Sequence, residues 1–405
     1  MSALSPTLSS LIPNPAWASL PLFDRTGWKR VRFGDVVENC NETCDPAEAG
    51  LERFVAMEHL EPGTLHVRSW GNVTDGTTFT RRCRPGQVLF GKRRAYQRKV
   101  AVAEFEAVVS GDIYVLAPKD PRRLLPELLP FLCLSERFFQ HAVGTSAGSL
   151  SPRTNWSSLA CFEFDLPPLD QQRRLAEILW AVDEAVAKKE RLAAELKAFS
   201  RIAIRAALAD GKFHDGRRLK TAEWKDTKLG GLCDLRNGKG FSAAEWSQEG
   251  LPIIRIQNLN GSRDFNYFAG DAEASWIVEP GTLLFAWAGV RGVSFGPCVW
   301  SGPRGVLNQH IFRILPHEGI NQRWLFETLK VITVEIEKKA HGFKIELVHA
   351  RKGDITNQPV RVPPENEQIA LADYAKSLSD AESLAVDDCN GLKSVLTASL
   401  NAISS

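Results

Sequence analysis

Features that mark membrane, exported and metal-stabilised proteins are missing from this sequence of 405 residues. No segment combines the length and apolar character of a membrane span, and residues 1–22 lack Lys and Arg but contain four prolines, which is unlike a signal peptide. The eight cysteines are scattered, and Cys40 and Cys44 have no second close pair to complete four zinc ligands. We therefore predict a soluble, cytoplasmic protein without a metal site.

Motifs for catalysis are missing as well. No phosphate-binding pattern of Gly, four residues, then Gly-Lys-Ser/Thr occurs. The tetrad beginning at Asn14 distantly resembles the one with which methyltransferases hold a flipped base, but no glycine-rich cofactor loop precedes it. The run from Glu335 to Lys338 has the residue types of a nuclease site, yet its alternating charge is typical of a solvated helix face. We predict that the chain is not an enzyme and binds no cofactor.

Acidic residues are absent from two long windows, although the chain as a whole has a formal net charge of only +2. Residues 76–103 contain no acid and eight Lys or Arg side chains, and residues 280–317 contain no acid and three arginines. A surface that approaches phosphates must exclude negative charge as well as recruit positive charge. Both windows are candidate nucleic-acid surfaces, with a solvated hairpin tip as the alternative for the first.

An internal duplication organises the chain. Trp28-Lys29 recurs as Trp224-Lys225, 196 residues later, and Pro-Gly-Gln-Val-Leu-Phe from Pro85 recurs as Pro-Gly-Thr-Leu-Leu-Phe from Pro280, 195 residues later. A Pro-Pro pair followed by Gln172 recurs before Gln368. Matches in the same order at a nearly constant shift indicate two copies of one unit.

Each copy has a mixed first part and a helical second part. Short β-rich runs such as Ile113 to Leu116 alternate with turns, and helix-like segments cover residues 124–141 and 321–339. We predict an α+β fold with two mixed α/β domains, separated by a long antiparallel two-helix coiled coil and related by an internal pseudo-two-fold repeat. The predicted divisions are an N-terminal arm 1–27, domain 28–166, helix 167–213, domain 214–362 and helix 363–405.

The two long helices carry equivalent apolar seams. In the first helix, steps of three and four residues connect Leu175, Ile178, Val182, Ala185, Lys189, Leu192, Leu196, Phe199, Ala203 and Ala206. A shift of 196 residues gives Leu371, Tyr374, Leu378, Ala381, Ala385, Asp388, Leu392, Val395, Ser399 and Ala402. Two such seams favour helices that pack on each other, whereas either one alone would suit docking on its own domain. Antiparallel pairing places large residues against small ones and sets Lys189 opposite Asp388.

The candidate DNA-binding residues lie in and near the acid-free windows. Arg and Gln side chains read base edges, and Lys and Arg bind phosphates. In the first half we select Lys92, Arg93, Arg94, Tyr96, Gln97, Arg98, Lys99, Ser146 and Arg153. In the second half we select Arg291, Arg304 and Lys344. The loops that contain these residues differ most between the halves, which suggests two readers of different sequences.

The order of domain, long helix, second domain and second helix resembles that of the specificity subunit of type I restriction-modification systems. The resemblance covers nearly the whole length of the chain. The resemblance rests on the doubled Trp-Lys opening, the Pro-Gly-x-x-Leu-Phe strand and the Pro-Pro then Gln element before each helix. It implies that each mixed domain recognises one half of a bipartite DNA target and that the helices set the gap. It also implies docking of two methyltransferase subunits, which would bind S-adenosylmethionine, and of motor-nuclease restriction subunits.

A different class of function remains open at this point. A two-headed coiled-coil scaffold that binds protein or glycan would share the long helices and the paired domains. It would not require acid-free stretches at equivalent places in both halves.

Overall fold

The computed structural model describes residues 25–339 and 347–404, which form two compact units. The first unit comprises the described residues of Met1–Ala193 and Leu384–Ser405, and the second comprises those of Ala194–Ser383. Both units combine mixed β-sheets with helices, so the predicted α+β class with two mixed domains is confirmed. Within the described ranges, no helix has the length and apolar character needed to cross a membrane.

The first unit begins with the domain predicted for residues 28–166. Its strands are β1 (Lys29–Arg32), β2 (Val37–Asn39), β3 (Arg53–Val55), β4 (Gly71–Asn72), β5 (Arg81–Cys83), β6 (Val88–Gly91), β7 (Val100–Val102), β8 (Ala107–Val109), β9 (Ile113–Pro118) and β10 (Glu163–Leu166). Its helices are α1 (Phe33–Val36), α2 (Leu129–Leu134), α3 (Glu136–Gly144) and α4 (Trp156–Ala160), followed by the long α5 (Leu169–Asp210), which ends in the second unit.

Two four-stranded sheets form the body of this domain, in the orders β2-β9-β6-β7 and β4-β3-β8-β5. Strand β6 is buried along its whole length because both of its faces are covered. Val88 and Phe90 join the cluster that includes α2 and α3, whereas Leu89 joins the cluster shared with the second sheet. Successive side chains of a strand point to opposite faces, so the apolar run after Pro-Gly serves two cores at once.

The second unit repeats this plan. Its strands are β11 (Lys225–Lys228), β12 (Cys233–Asn237), β13 (Leu251–Ile254), β14 (Tyr267–Phe268), β15 (Ile277–Val278), β16 (Leu283–Ala286), β17 (Ala288–Val290), β18 (Gly296–Val299), β19 (Gly305–Leu307), β20 (Ile311–Pro316), β21 (Leu347–His349) and β22 (Pro359–Val362). Its helices are α6 (Ile256–Leu259), α7 (Gln322–Lys339), α8 (Lys352–Thr356) and the long α9 (Glu365–Ser404), which ends in the first unit. The four-stranded sheets have the orders β12-β20-β16-β18 and β14-β13-β19-β15.

The duplicated motifs have the same structural roles in both units. Strand β1 pairs antiparallel with β10, with Lys29 opposite Leu166, and β11 pairs with β22, with Lys225 opposite Val362. The indole of Trp28 donates to Gln171 at 2.6 Å, and that of Trp224 donates to Glu367 at 2.7 Å. The Trp-Lys element therefore joins the start of each domain to the first turn of the helix that follows it.

The Pro-Pro then Gln element is a buried hydrogen-bond junction. Gln172 donates to the carbonyls of Pro167 and Arg123, both at 2.8 Å, and accepts from the backbone of Leu125 at 2.9 Å. Gln368 makes the equivalent bonds to Pro363, Gly319 and Asn321. Both glutamines are only 1% exposed, so water cannot replace these bonds, and each long helix is fastened to the loop before the domain's own helices.

We predict that Gln172→Leu lowers the free energy of unfolding of the first unit by about 2–4 kcal/mol, because buried backbone groups lose their partners. Gln368→Leu should have the same effect on the second unit. Chemical denaturation of the full chain measures both effects. The exposed Gln140 provides the control, since Gln140→Leu should change stability by less than about 0.5 kcal/mol. A similar small effect of Gln172→Leu would contradict the structural role assigned to the junction.

The helix-like segment predicted over residues 124–141 consists of two helices. Helices α2 and α3 are separated at Ser135, whose extended backbone ends the first and whose side chain accepts from the backbone of Phe138 to cap the second. A serine at a helix start satisfies a backbone donor that would otherwise lack a partner. In the second unit, the segment predicted over residues 321–339 is the single helix α7.

Helices α5 and α9 run antiparallel within the first unit. Leu175 and Leu179 near the start of α5 share a core cluster with Leu400 and Ile403 at the end of α9. Further along α5, Lys189 donates to Asp388 at 2.7 Å, so the predicted opposition of these two residues is present. The pair is half-exposed rather than buried, and Glu190 beside it binds both Lys393 and Arg68. These contacts set the register of the two helices at this level.

Burial differs between alternate positions of the predicted seam. One set of alternate positions is buried or half-buried on both helices. It includes Leu175, Val182 and Leu196 on α5 and Leu371, Leu378 and Leu392 on α9. At the remaining positions the residue one place later is the more buried one, and Leu192 is 51% exposed while Phe199 is 43% exposed. Alternating steps of three and four residues fit two neighbouring faces of a helix, and the side chains of Leu192 and Phe199 lie on the more exposed of the two.

A histidine joins the domain of the first unit to α5. Nδ1 of His66 lies 2.6 Å from Glu104, and its Nε2 lies 3.2 Å from the buried carboxylate of Asp183 on α5. The bonds to Asp183 and Glu104 raise the pKa of His66 to about 10, so the imidazolium bridges two carboxylates at neutral pH. The stabilisation is complete below the ordinary pKa of the imidazole and is lost as the pH rises through the folded value.

We therefore expect the thermal stability of the first unit to fall between pH 7 and pH 10, and His66→Gln to flatten that dependence. Differential scanning calorimetry of the full chain across this range measures the effect. His59→Gln is the matched control and should preserve the slope. Identical slopes for the wild type and His66→Gln would show that the bridge does not contribute.

Candidate nucleic-acid interface

Two loops of the first unit that are far apart in sequence meet at one surface. The loop after β6 contains Lys92, Arg93 and Arg94, and the loop after α3 ends at Arg153. Backbone bonds join them, from Arg94 to the carbonyl of Pro152 at 2.7 Å and from Thr154 to the carbonyl of Lys92 at 3.1 Å. The candidate residues of both loops are thus brought together by backbone pairing.

Asp112 fastens these loops through its carboxylate. It accepts from Nε of Arg153 at 2.8 Å and lies 3.3 Å from Nη1 of Arg93. The bond from Arg153, with further help from Arg93, lowers the pKa of Asp112, so the carboxylate stays ionised. Ser151 accepts from Arg93 and Arg94 at 3.1 and 3.3 Å. Asp112 was not selected from the sequence because it follows the acid-free window.

The first acid-free window, residues 76–103, carries less net positive charge in the folded structure than its sequence suggests, because acidic residues from other segments lie beside it. Arg82 and Arg84 pair with Glu42 and Glu106, and Arg98 pairs with Glu136, all from outside the window. The Lys99 ammonium donates to the carbonyl of Met57 at 2.7 Å. Absence of acid from a stretch of chain excludes carboxylates only from neighbouring positions, because antiparallel strands bring other segments alongside.

Two exposed candidates, Tyr96 and Arg98, lie at the turn between β6 and β7. Residues Ala95–Gln97 form a short 3-10 turn, flanked by Arg94 and Arg98 with left-handed φ values of 53° and 56°. Such a backbone is unfavourable for non-glycine residues and persists because surrounding bonds hold it. Tyr96 at the turn is 55% exposed. The Ser146 hydroxyl donates to the carbonyl of Ala142 and ends α3.

At the positions equivalent to these two loops, the second unit makes different backbone and side-chain contacts. Strand β17 pairs with β21, with Ala288 opposite His349, where the first unit has an isolated bridge between Arg93 and Arg153. Arg291 donates to the carbonyl of Glu337, and the Glu337 carboxylate accepts from Gly292. Thus the Glu335 to Lys338 run lies in α7 and holds a loop. Arg304 pairs with Glu279 at 3.3 Å, and Lys344 lies outside the described residues.

A cleft of about 630 Å³ opens beside the β17–β21 pair. It is lined by Trp287, Phe312, His349, Ala350, Arg351, Lys352 and Asp354. The indole of Trp287 is fixed by bonds to Asn237 at 3.1 Å and to the carbonyl of Gln309 at 3.2 Å. Trp287, Arg351 and Lys352 were not predicted from the sequence, although the 195-residue shift of the Pro-Gly strand aligns Trp287 with Lys92 and the 196-residue shift of the later motifs aligns His349 with Arg153.

Near this cleft, an aromatic cage fixes the segment that follows β12. The Lys239 ammonium lies 4.9 Å from the rings of Phe241 and Trp276 and 5.1 Å from that of Phe268. Glu245 binds the same ammonium, and this bond lowers the pKa of Glu245 to about 2. Lys239 also forms a β-bridge to Asn308, which stiffens the polar stretch of Asn308 and Gln309 in the second window.

The family model for the type I restriction modification DNA specificity domain matches residues 26–198 and again residues 221–385. The chain belongs to this family. The resemblance identified in the sequence is thereby confirmed, and the chain contains two specificity domains. The match decides against the scaffold alternative.

Individual relatives and solved structures agree with this assignment. The Escherichia coli EcoBI specificity subunit is 23% identical over 158 residues, which is 38% of this chain and 32% of that protein. The match thus spans about a third of that relative's length. The Methanocaldococcus jannaschii MjaVIII specificity subunit is 21% identical over 385 residues, 87% of this chain and 86% of that protein. A chain from a structural study of type I R-M complex assembly shares the fold, with a TM-score of 0.62 at 21% identity over 93% of this chain and 98% of that one.

Proposed function

We propose that this chain is the non-catalytic DNA-recognition subunit of a type I restriction-modification complex, with each specificity domain reading one half of a bipartite target. The observation that supports this function best is the meeting of Lys92, Arg93, Arg94 and Arg153 at one surface, in a chain with two DNA specificity domains. Arg93 and Arg153 are positioned by Asp112, while Arg94 and Tyr96 are presented at the turn beside them. Because its ligand is duplex DNA, we propose a cytoplasmic location.

The long helices supply the gap between the half-sites in this proposal. Helices α5 and α9 contain 42 and 40 residues, so each is about 60 Å long. That length exceeds the repeat of about 34 Å between successive turns of a DNA groove. In this proposal, each specificity domain grips a separate half-site. The divisions predicted at residues 28–166, 167–213, 214–362 and 363–405 remain the proposed boundaries of readers and spacers.

We also propose that α5 and α9 dock two methyltransferase subunits, which bind S-adenosylmethionine, and that restriction subunits join through them. In the first unit, Leu192 is 51% exposed and Leu384 is 65% exposed, and both lie within one helical turn of the Lys189–Asp388 pair. Exposed leucines close to a register-setting ion pair suit a surface that a partner covers.

Binding of duplex DNA should weaken steeply as salt rises, because phosphate contacts release counterions. Arg94→Gln should weaken binding to all sequences and lower the slope of log K against log salt by about one. Arg122→Gln is the matched control, since Arg122 is exposed and pairs with Asp120 away from the two loops. Fluorescence anisotropy with the full chain and its methyltransferase partner measures both. No salt-dependent binding by the wild-type complex would overturn the proposed function.

Leu192→Ser combined with Leu384→Ser should weaken methyltransferase binding by about tenfold or more, since each removes exposed apolar area from the proposed interface. The fold should be unaffected because both side chains are already half-exposed or more. Lys188→Ser, at an exposed polar position of α5, should leave the affinity unchanged. Isothermal titration calorimetry with the purified subunits tests this, and equal affinities for all three proteins would contradict the docking surface.

A further inference from the structure

The loop that leads to β4 carries two cations from the first domain to α5. Leu65 and Val67 of this loop are buried in the domain, and the backbone of Val102 on β7 donates to the carbonyl of Leu65 at 2.8 Å. His66 and Arg68 alternate with the two buried residues, and their side chains reach carboxylates of α5 instead. The loop is thus part of the body of the domain, and its two cations connect that body to the helix.

Two carboxylates of α5 bind these cations. Asp183 is only 5% exposed, and its carboxylate lies 3.2 Å from Nε2 of His66. Among the described residues, no other cation pairs with Asp183, and a buried carboxylate without a counter-charge is strongly unfavourable. Seven residues later, Glu190 accepts from Arg68 at 3.0 Å and binds Lys393 of α9 at 2.8 Å. Charge therefore attaches the loop to both long helices.

This ionic attachment, formed by His66, Arg68, Asp183 and Glu190, extends the contact between the domain and α5. Leu175 and Leu179 at the start of the helix belong to the core cluster of the domain, and Val182 packs at its border. From Val182 to Glu190 the helix rises by about 12 Å. A body held at one end of an axis can pivot, whereas an attachment further along the axis fixes its angle.

The second unit has the same frame without this attachment. A shift of 196 residues places Ser379 and Val386 of α9 at the positions of Asp183 and Glu190, and neither side chain can form an ion pair. Ser379 is exposed, whereas Asp183 is buried. The second domain adopts the common plan without these carboxylates, so the ionic attachment is not a requirement of the shared fold. It is a feature of the first domain alone.

We propose that the ionic attachment fixes the angle of the first specificity domain on the long helices, so that DNA binding becomes selective for the gap between the half-sites. Asp183 and Glu190 are positioning residues in this inference, which rests on the proposed function because the gap belongs to the bipartite target. One additional base pair displaces a half-site by about 3.4 Å and rotates it by about a tenth of a turn. A domain that pivots follows part of this displacement, whereas a domain with a fixed angle loses its contacts.

The test compares duplexes that differ only in the gap. The full chain with its methyltransferase partner binds a duplex selected by that complex from a random pool, and two versions whose gap is one base pair longer or shorter. Fluorescence anisotropy at constant salt measures the three affinities. The wild type should bind the selected gap about 100-fold more tightly than the others, since a misplaced half-site loses its base contacts.

Removal of the two carboxylates should relax this selectivity. Asp183→Asn combined with Glu190→Gln preserves side-chain size and should lower the ratio to about tenfold or less, because the neutral amides no longer hold the two cations. Affinity for the selected gap should change by less than about threefold, since no residue proposed to contact DNA is altered.

Further variants separate the attachment from a general effect of charge. Arg68→Gln should also lower the ratio, whereas Arg68→Lys keeps a cation near Glu190 and should preserve most of it. This pair tests the inference if the double variant does not fold. The matched control is Asp120→Asn combined with Glu163→Gln, which removes two carboxylates from ion pairs within the same domain and should preserve the ratio.

The outcomes separate this inference from the function on which it rests. If no duplex binds in a salt-dependent manner, the proposed function is wrong. If duplexes bind but the double variant keeps the full ratio, or loses the same factor of affinity for every gap, the inference is wrong and the DNA-reading function stands. Equal binding of all three gaps by the wild type would also overturn the inference, as would an equal fall of the ratio in the control.

Discussion

A buried glutamine at the start of each long helix is the constraint on which the arrangement of each unit depends. The side-chain amide of Gln172 satisfies two carbonyls and one backbone donor from two separate segments of the chain, and Gln368 does the same in the second unit. The adjoining indole bonds of Trp28 and Trp224 secure the strand that begins each domain to the same helical turn. The direction in which α5 leaves the first domain, and α9 the second, follows from these contacts. A helix held only by apolar packing could slide or rotate, whereas a buried amide with three fixed partners permits one position.

On this shared frame the two copies differ in the side chains at the loops proposed to bind DNA. In the first unit, a carboxylate inside the loop cluster positions two arginines, and the lysine over Tyr114 closes the surface. In the second unit, Trp287 lies at the position of Lys92 and packs on Phe312 with a centroid distance of 6.0 Å, and His349 lies at the position of Arg153. Two cations of the first copy are thus replaced by an indole and an imidazole. Side-chain differences on equivalent strands therefore change the chemistry of this surface.

The sequence predicted much of the fold because its strongest signals were repetitive and local. The Trp-Lys opening, the Pro-Gly-x-x-Leu-Phe strand and the Pro-Pro then Gln element each recur, and each has the same role in both units. The long helices and the contact between Lys189 and Asp388 were also predicted. The helix face that is buried most deeply was not predicted, because the alternating steps around Leu192 fit two faces equally well. The break at Ser135 was missed because apolar residues continue on both sides of it.

By itself, the sequence determined that the protein is a duplication of one unit and which stretches carry positive charge without acid. Those properties depend on residue order and on contacts between near neighbours. Only the tertiary structure decided which cations are neutralised, since Glu42, Glu106, Asp112 and Glu136 reach the first window from other strands and loops. It also decided that Trp287 packs on Phe312 in one copy, whereas Lys92 lies over Tyr114 in the other. Contacts between distant segments depend on how strands are ordered in a sheet, and a linear pattern does not contain that order.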